Sequence, residues 1–125
     1  MSNFDSINLG SFNEIAKLEN GKVFLHDNLN LTSCEISLNS TPKGFKVPFN
    51  HKHKQNEEIY IITKGKGIIT VNNNKINVEE GSAVRISTGV SHTIENIGDS
   101  ELNFICIQAK ENSLNQFGFN DGEIC

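Results

Sequence analysis

The chain has 125 residues, of which 36% are hydrophobic and 21% are charged. This length suits one domain with a core of its own, and the composition excludes an intrinsically disordered protein. The formal net charge of −4 argues against a nucleic-acid or anionic-membrane partner, since both recruit basic surfaces.

The predicted elements begin with one short helix and continue as strands. Ser11 and Glu14 have the spacing of a capping box, which predicts a helix that ends near Asn20-Gly21. Beyond it, Ile, Val and Phe recur in short runs separated by Asn and Gly, a pattern typical of strands and turns. The predicted strands cover residues 22–26, 31–38, 57–63, 67–72, 75–78, 83–87, 91–96 and 101–108.

Short turns separate these strands. Asn72-Asn73-Asn74 predicts a tight turn, and Glu79-Glu80-Gly81 predicts another. Many short strands at close spacing indicate an all-β sandwich or barrel. From Lys110 onward the chain is polar, and we expect this tail to pack on the outside of the barrel or on a second subunit. Its apolar anchor candidates are Phe117, Phe119 and Ile124.

The cysteines and the N-terminus bear on the compartment. Cys34, Cys106 and Cys125 show neither CxxC nor CxxH spacing, so we expect reduced thiols in a cytoplasmic protein. Cys34 and Cys106 lie in apolar runs, which predicts two small core residues. The N-terminus has neither the basic nor the apolar part of a secretory signal, and no apolar run is long enough to span a membrane.

The first candidate metal ligands lie between Gly44 and Gly67. Residues two apart on a strand face the same side, so His51 and His53 present two imidazoles together. Pairing of their strand with the strand over 57–63 predicts that a glutamate lies opposite them. Two imidazoles and a carboxylate suit a borderline transition metal ion.

Two adjacent glutamates compete for the carboxylate position. If Glu58 faces inward, Tyr60 and the next alternate residue follow it into the interior. If Glu57 faces inward, Ile59 and Ile61 do so instead. Both sets are apolar enough for a core, so alternation alone leaves the choice open.

A second stretch, residues 81–96, supplies one more imidazole. His92 opens a strand after a turn that contains Gly89, and Ile94 and Asn96 share its face. A third histidine arriving from a different strand would complete a site of three imidazoles and one carboxylate.

At these residues the chain resembles the cupin family. Residues 44–65 resemble the first cupin motif, G-x5-H-x-H-x3-4-E-x6-G, and residues 81–96 resemble the second, G-x5-P-x-G-x2-H-x3-N. The resemblance selects Glu58, which precedes Gly65 by the motif's spacing, as the carboxylate. Two positions depart from the pattern: six residues instead of five precede His51, and Ser87 stands in place of the proline.

The resemblance implies an all-β fold, with one cupin double-stranded β-helix, or jelly-roll, barrel over residues 1–125. A short N-terminal extension and a C-terminal tail would flank the barrel. The resemblance also implies a homodimer and one divalent transition metal ion, either iron, manganese, nickel or zinc. The implied metal ligands are His51, His53, Glu58 and His92.

A mostly apolar pocket is predicted beside the ion, because alternation carries inward the neighbours of Glu58 and His92. The pocket candidates are Tyr60, Ile62, Ile94, Phe104 and Gln108. Outside both motifs, we expect His26 to be structural or exposed and Lys46 and Arg85 to be solvated charges.

The resemblance allows dioxygenases, isomerases, decarboxylases and lyases. We therefore expect a metal-dependent enzyme, dioxygenase-like or isomerase-like, that acts on a small oxygenated metabolite. The alternative is a non-enzymatic module that binds or senses a small molecule. The sequence identifies no catalytic residue beyond the metal ligands.

Overall fold

Eight strands dominate the part of the chain, residues 3–125, that a computed structural model describes. They are β1 (Lys22–Phe24), β2 (Glu35–Thr41), β3 (Asn56–Lys64), β4 (Lys66–Val71), β5 (Asn74–Glu79), β6 (Ala83–Ile86), β7 (His92–Asn96) and β8 (Leu102–Lys110). A five-stranded antiparallel sheet has the order β1-β2-β8-β3-β6, and a three-stranded antiparallel sheet has the order β5-β4-β7. This architecture confirms the predicted all-β fold and matches a jelly-roll barrel.

Strand alternation builds one apolar core between the two sheets. On β3, Tyr60 and Ile62 face inward, and their cross-strand partners on β8 are Cys106 and Phe104. Burial of one large side chain contributes roughly 1.5–3 kcal/mol, so this core is the main source of stability. Its buried members are Tyr60, Ile62, Ile69, Val78, Ile86, Ile94, Leu102, Phe104 and Cys106.

The predicted N-terminal helix is present but shorter than expected. α1 covers only Phe12–Ile15, well short of Asn20-Gly21, where a separate 3₁₀ turn, Glu19–Gly21, lies. The predicted capping box is wrong, because the side chain of Ser11 makes no cap hydrogen bond within the described residues. Its backbone carbonyl accepts from the N–H groups of Glu14 and Ile15 instead. Ile15 is only 1% exposed, so tertiary burial rather than capping holds this single turn.

The chain between β1 and β2 departs from the prediction. The strand predicted over 22–26 ends at Phe24, because the next residues form a short helix, α2 (His26–Leu29). The carboxylate of Glu35 accepts a hydrogen bond of 2.8 Å from the backbone N–H of His26. Local bonds of this kind compete with strand pairing, and the strand predicted over 31–38 begins only at Glu35. None of the helices in residues 3–125 is long and apolar enough to cross a membrane.

The predicted turn after β4 forms a tight hairpin. Val71 and Asn74 are paired, so Asn72 and Asn73 make a two-residue loop, with Asn72 at a φ of 54°. Asparagine tolerates this left-handed conformation better than most residues, which explains the asparagine run.

The glycine that ends the first motif is also required by geometry. Gly65 has a φ of 95°, and a Cβ atom at this position would lie 2.6 Å from the backbone oxygen of Glu101. A side chain there would be strained in conformation and would also collide with backbone.

The outer face of the five-stranded sheet carries two apolar rows. Both rows run over β2, β8 and β3, and all their members are only partly buried. The first row consists of Ile36, Ile107 and Ile59, and the second of Leu38, Ile105 and Ile61.

The expected apolar anchors of the C-terminal tail are exposed within one chain. The exposed fraction is 72% for Phe117 and 98% for Phe119, and Ile124 is fully exposed.

Candidate metal centre

Four side chains from both sheets meet at one end of the barrel. His92 is the first residue of β7, and Glu58 lies on β3 in the opposite sheet. His51 and His53 lie in the segment that precedes β3. One potential ligand atom from each of the four lies within 4.8 Å of the others. The structure thus brings together all four residues that the resemblance selected.

The histidine pair reaches this position by a different route from the one predicted. The segment that carries it does not pair with β3, whose described partners are β6 and β8. Instead, His51 and His92 form an isolated antiparallel bridge, with N–H to C=O distances of 3.1 and 2.9 Å. The HxH segment therefore extends the three-stranded sheet, and Glu58 faces the imidazoles from across the barrel.

The three imidazoles converge on a single carboxylate oxygen. Oε2 of Glu58 lies 2.6 Å from Nε2 of His92, 3.1 Å from Nε2 of His53 and 3.8 Å from Nε2 of His51. Glu58 and His92 are almost fully buried, whereas the side chains of His51 and His53 are 31% and 28% exposed. The cluster is therefore closed toward the core and reachable from solvent on the side of the two histidines.

The neighbouring glutamate points away from the cluster. Glu57 lies on the outer face of the sheet, where one of its carboxylate oxygens is 3.4 Å from Nη1 of Arg85. Arg85 also lies 3.7 Å from a carboxylate oxygen of Glu111. The structure thus places Glu58, and not Glu57, among the imidazoles.

One hydrogen bond fixes the tautomer of His92. Its Nδ1 lies 3.0 Å from the backbone oxygen of Val90, so Nδ1 donates and Nε2 faces the cluster. Metal-binding histidines are held in this way by a partner on the second ring nitrogen. In the described residues, buried Nε2 of His53 and buried Nδ1 of His51 have no hydrogen-bond partner. Nε2 of His53, which lies 3.1 Å from the Glu58 carboxylate without a hydrogen bond to it, fits a metal ion as the missing partner.

The charges in the cluster follow from burial and hydrogen bonding. Burial alone would raise the pKa of Glu58, but hydrogen bonds from His92 and Cys106 outweigh it and lower the pKa to about 2. Burial and the neighbouring His92 lower the pKa of His51. Glu58 is thus ionised and His51 is neutral at neutral pH, the forms that ligate metals.

His92 is the exception among these groups. Burial alone would lower its pKa, but hydrogen bonds to Glu58 and to the backbone oxygen of Val90 raise it. These hydrogen bonds favour the protonated form of His92 in the metal-free protein, and a bound ion would displace that proton.

Cys106 contacts the cluster, which the sequence did not reveal. Its thiol donates a hydrogen bond of 2.8 Å to Oε1 of Glu58. The other oxygen, Oε2, is the one in contact with His92. Burial, reinforced by the Glu58 carboxylate, raises the pKa of this thiol. The prediction of a small core residue is correct for its burial but missed the contact. Strand alternation was the available signal, because Cys106 lies two residues from Phe104, which also faces inward.

Four of the predicted pocket residues belong to the apolar core, and the fifth, Gln108, lies level with the cluster. The Tyr60 ring centroid lies 6.1 Å from that of His92 and 5.6 Å from that of Phe104. Gln108 is half-buried, lies directly opposite Glu58 on β8 and accepts a long hydrogen bond from Asn56. The exposures of the four apolar candidates are 3% for Tyr60, 1% for Ile62, 4% for Ile94 and 5% for Phe104.

These exposures describe a packed floor under the imidazoles. On the open side, the exposed Phe49 ring stands edge-on to His51 at a centroid distance of 6.4 Å. A ligand approaching from solvent would therefore meet Phe49, His51 and His53 first.

The remaining charged candidates lie outside the cluster. His26 is exposed on α2, where Nδ1 contacts the Asp27 carboxylate at 2.9 Å. Lys46 is exposed beside β7, and Arg85 is bound to carboxylates on the outer face. The expectation that these three are structural or solvated agrees with their positions.

Comparison with known proteins places this geometry in a family. Residues 39–108 match the family model described as the Cupin domain. A cupin protein of known crystal structure from Bacteroides fragilis is 39% identical, with a TM-score of 0.87 and coverage of 100% of this chain and 99% of that chain.

Two curated relatives match over shorter stretches. An uncharacterized protein of Methanocaldococcus jannaschii is 43% identical over 65 residues, which are 52% of this chain and 51% of the relative. The oxalate-binding protein of Thermotoga maritima is 35% identical over 66 residues, which are 53% of this chain and 54% of the relative. The chain thus spans about half the length of the curated relatives it matches. The domain match and the full-length likeness to the Bacteroides fragilis protein together show that this chain belongs to the cupin family.

Proposed function

We propose that this protein holds one divalent transition metal ion on His51, His53, Glu58 and His92 and uses it to bind a small oxygenated metabolite. Iron, manganese, nickel and zinc all suit such a donor set. One observation carries the proposal: three imidazole nitrogens converge on one oxygen of a buried carboxylate, and Nε2 of His53 has no hydrogen-bond partner among the described residues.

Each ligand is prepared differently for this role. His92 is oriented by the backbone oxygen of Val90, and Glu58 supplies a buried negative charge. His51 and His53 leave the solvent side accessible, so a ligand can approach without unfolding the barrel. When bound, the ion would supply Lewis-acid chemistry to a carbonyl or carboxylate, or redox chemistry if it is iron or manganese.

The shape of the site favours a compact ligand with a metal-chelating end. The floor is filled by packed apolar side chains, so the ligand must bind near the rim formed by Phe49 and the exposed faces of His51 and His53. The relative of this chain in Thermotoga maritima is named an oxalate-binding protein. Oxalate is a compact two-oxygen chelator, so we propose small dicarboxylates, keto acids or diketones as the ligand class.

An enzyme and a binding module remain the two candidate uses of this site. The metal-dependent enzyme, dioxygenase-like or isomerase-like, would convert the chelated metabolite. The binding or sensor module would only capture it, as the name of the oxalate-binding relative suggests for that protein. Turnover of a panel of small oxo-acids by the metal-loaded protein separates these two uses.

Metal content and ligand binding test the proposal together. We expect about one ion per chain in the wild type, at least tenfold less in His53→Ala, and wild-type content in His26→Ala, because His26 is exposed on α2. Oxalate should then perturb the visible spectrum of the cobalt-substituted wild type. Equal metal content in wild type and His53→Ala would refute the site.

We further propose a homodimer in a reducing, cytoplasmic compartment. The exposed tail residues Phe117 and Phe119 and the two apolar rows on the outer sheet face favour an arrangement in which the tail of one chain crosses to its partner. Free Cys34, Cys106 and Cys125 fit the compartment.

Light scattering tests the dimer. The wild type at micromolar concentration should have twice the 13.8 kDa mass of one chain. Phe117→Ser combined with Phe119→Ser should shift it toward the monomer, because these side chains are exposed in a single chain. A monomer mass for the wild type would contradict the proposal.

A further inference from the structure

The two oxygens of the Glu58 carboxylate have different partners. Oε2 faces the imidazoles, with His92 at 2.6 Å, whereas Oε1 accepts the thiol hydrogen bond from Cys106 at 2.8 Å. Both side chains are buried, with exposures of 4% for Glu58 and 6% for Cys106. In this interior a hydrogen bond to an ionised group is strong, and its loss leaves a lone pair of the carboxylate unsatisfied.

Strand register makes this contact possible. Glu58 lies directly opposite Gln108 across β3 and β8, so Cys106 is its diagonal neighbour on the same inward face. Diagonal neighbours in antiparallel sheets are within reach of longer side chains. The carboxylate of Glu58 spans this gap toward the thiol.

A second strand supports the thiol from the other side. Ser37 on β2 lies directly opposite Cys106 on β8. The amide of Asn39 donates to the Ser37 hydroxyl at 3.0 Å and to the backbone oxygen of Phe104 at 3.4 Å. Ser37 and Asn39 are buried. A chain of buried polar groups therefore extends from Asn39 and Ser37 on β2, past Cys106 on β8, to Glu58 on β3.

We propose that Cys106 is a positioning residue, whose thiol holds Oε1 of Glu58 so that only Oε2 is presented to the metal. This inference rests on the proposed metal-binding function. A carboxylate with one oxygen occupied by a donor binds an ion through the other oxygen alone. A carboxylate with both oxygens free can take two coordination positions, one of which a chelating metabolite would need. The thiol therefore keeps one coordination position of the ion open, and it also strengthens the site.

Substitutions at Cys106 separate the effect of the hydrogen-bond donor from the effect of side-chain volume. Cys106→Ala and Cys106→Val remove the donor, and Cys106→Ser keeps a donor in a side chain of similar size. We expect Co²⁺ affinity to fall about 10–100-fold in the first two, the range for partners of metal ligands, and to be largely retained in the serine variant. Cys34→Ala, at a half-buried cysteine outside the polar chain, is the matched control and should bind as the wild type does.

Two spectroscopic readouts distinguish positioning from general loss of stability. The Co²⁺ absorption bands should change in Cys106→Ala, because the carboxylate is released to bind through two oxygens, and oxalate affinity should fall with them. In the metal-free protein, the infrared S–H band of Cys106 is identified by its disappearance in Cys106→Ala. This band should move to higher wavenumber in Glu58→Gln. That shift would show the hydrogen bond without relying on any metal.

The outcomes that overturn the inference are distinct from those that overturn the function. A wild type that takes up no Co²⁺ refutes the metal site, and the positioning role with it. Metal binding that is equal in wild type and Cys106→Ala refutes the positioning role alone. A thiolate-to-cobalt charge-transfer band that is lost in Cys106→Ala would make Cys106 a ligand and likewise overturn the role proposed for it.

Discussion

Glu58→Gln should lower metal affinity by more than about 100-fold, since even the partners of metal ligands contribute 10–100-fold. The substitution keeps the size of the side chain but removes the only carboxylate in residues 3–125 that lies among His51, His53 and His92. Three neutral imidazoles would then hold a divalent ion without a negative charge beside it. Competition between the protein and a coloured chelator for Co²⁺ or Zn²⁺ measures the change.

Glu57→Gln is the matched control for this experiment. The two residues are adjacent and undergo the same chemical change, but Glu57 lies on the outer face, 3.4 Å from Arg85. We expect its metal affinity to stay near the wild-type value, because an exposed ion pair is worth little and lies away from the cluster. A larger loss in Glu57→Gln than in Glu58→Gln would show that the wrong carboxylate has been assigned.

This pair of glutamates shows what the sequence could predict and what it could not. Short runs of Ile, Val and Phe separated by Asn and Gly predicted all eight strands, although the bounds predicted for β1 and β2 were wrong. Alternation along β3 left Glu57 and Glu58 equivalent, since the outer face of that strand is itself apolar at Ile59 and Ile61. Only the resemblance to cupin motifs separated them, and the structure agrees with it.

Features that depend on contacts distant in sequence were not predictable. The bond between Cys106 and Glu58 depends on the register of β3 against β8, which brings together residues 48 positions apart. The bridge between His51 and His92 likewise joins two segments that local patterns treat separately. Conversely, the capping box of Ser11 was a local pattern, and tertiary burial of Ile15 made it unnecessary.

The last residue of the second motif shows the same dependence on distant contacts. Asn96 ends β7 and is only 2% exposed. Its side-chain amide lies 3.1, 3.0 and 3.0 Å from the backbone oxygens of Thr41, Pro42 and Ser100. Its carbonyl oxygen accepts from the backbone N–H of Gly98 at 2.9 Å. One side chain thus ties together the end of β2, the loop after it and the turn that follows β7.

Asn96→Asp should therefore destabilise the fold by about 3–5 kcal/mol at neutral pH, the cost of an uncompensated buried charge. The substitution preserves the shape of the side chain but replaces a donor to three backbone oxygens with a carboxylate that repels them. Urea denaturation of the metal-free protein measures the free energy of unfolding directly. Asn77→Asp adds the same charge at an exposed position of β5 and should change that free energy by about 0.5 kcal/mol or less.

The pH dependence of the Asn96→Asp variant distinguishes charge repulsion from loss of packing. Burial among carbonyl oxygens would raise the pKa of the new carboxyl group in the folded state above its unfolded value of about 3.9. A group with a raised folded-state pKa binds its proton more tightly when folded, so the variant should regain stability relative to the wild type as pH falls through that pKa. The protonated acid can donate one hydrogen bond, which restores part of what the amide provided. A deficit that stays constant between pH 8 and pH 5 would mean that the amide matters for packing rather than for its hydrogen bonds.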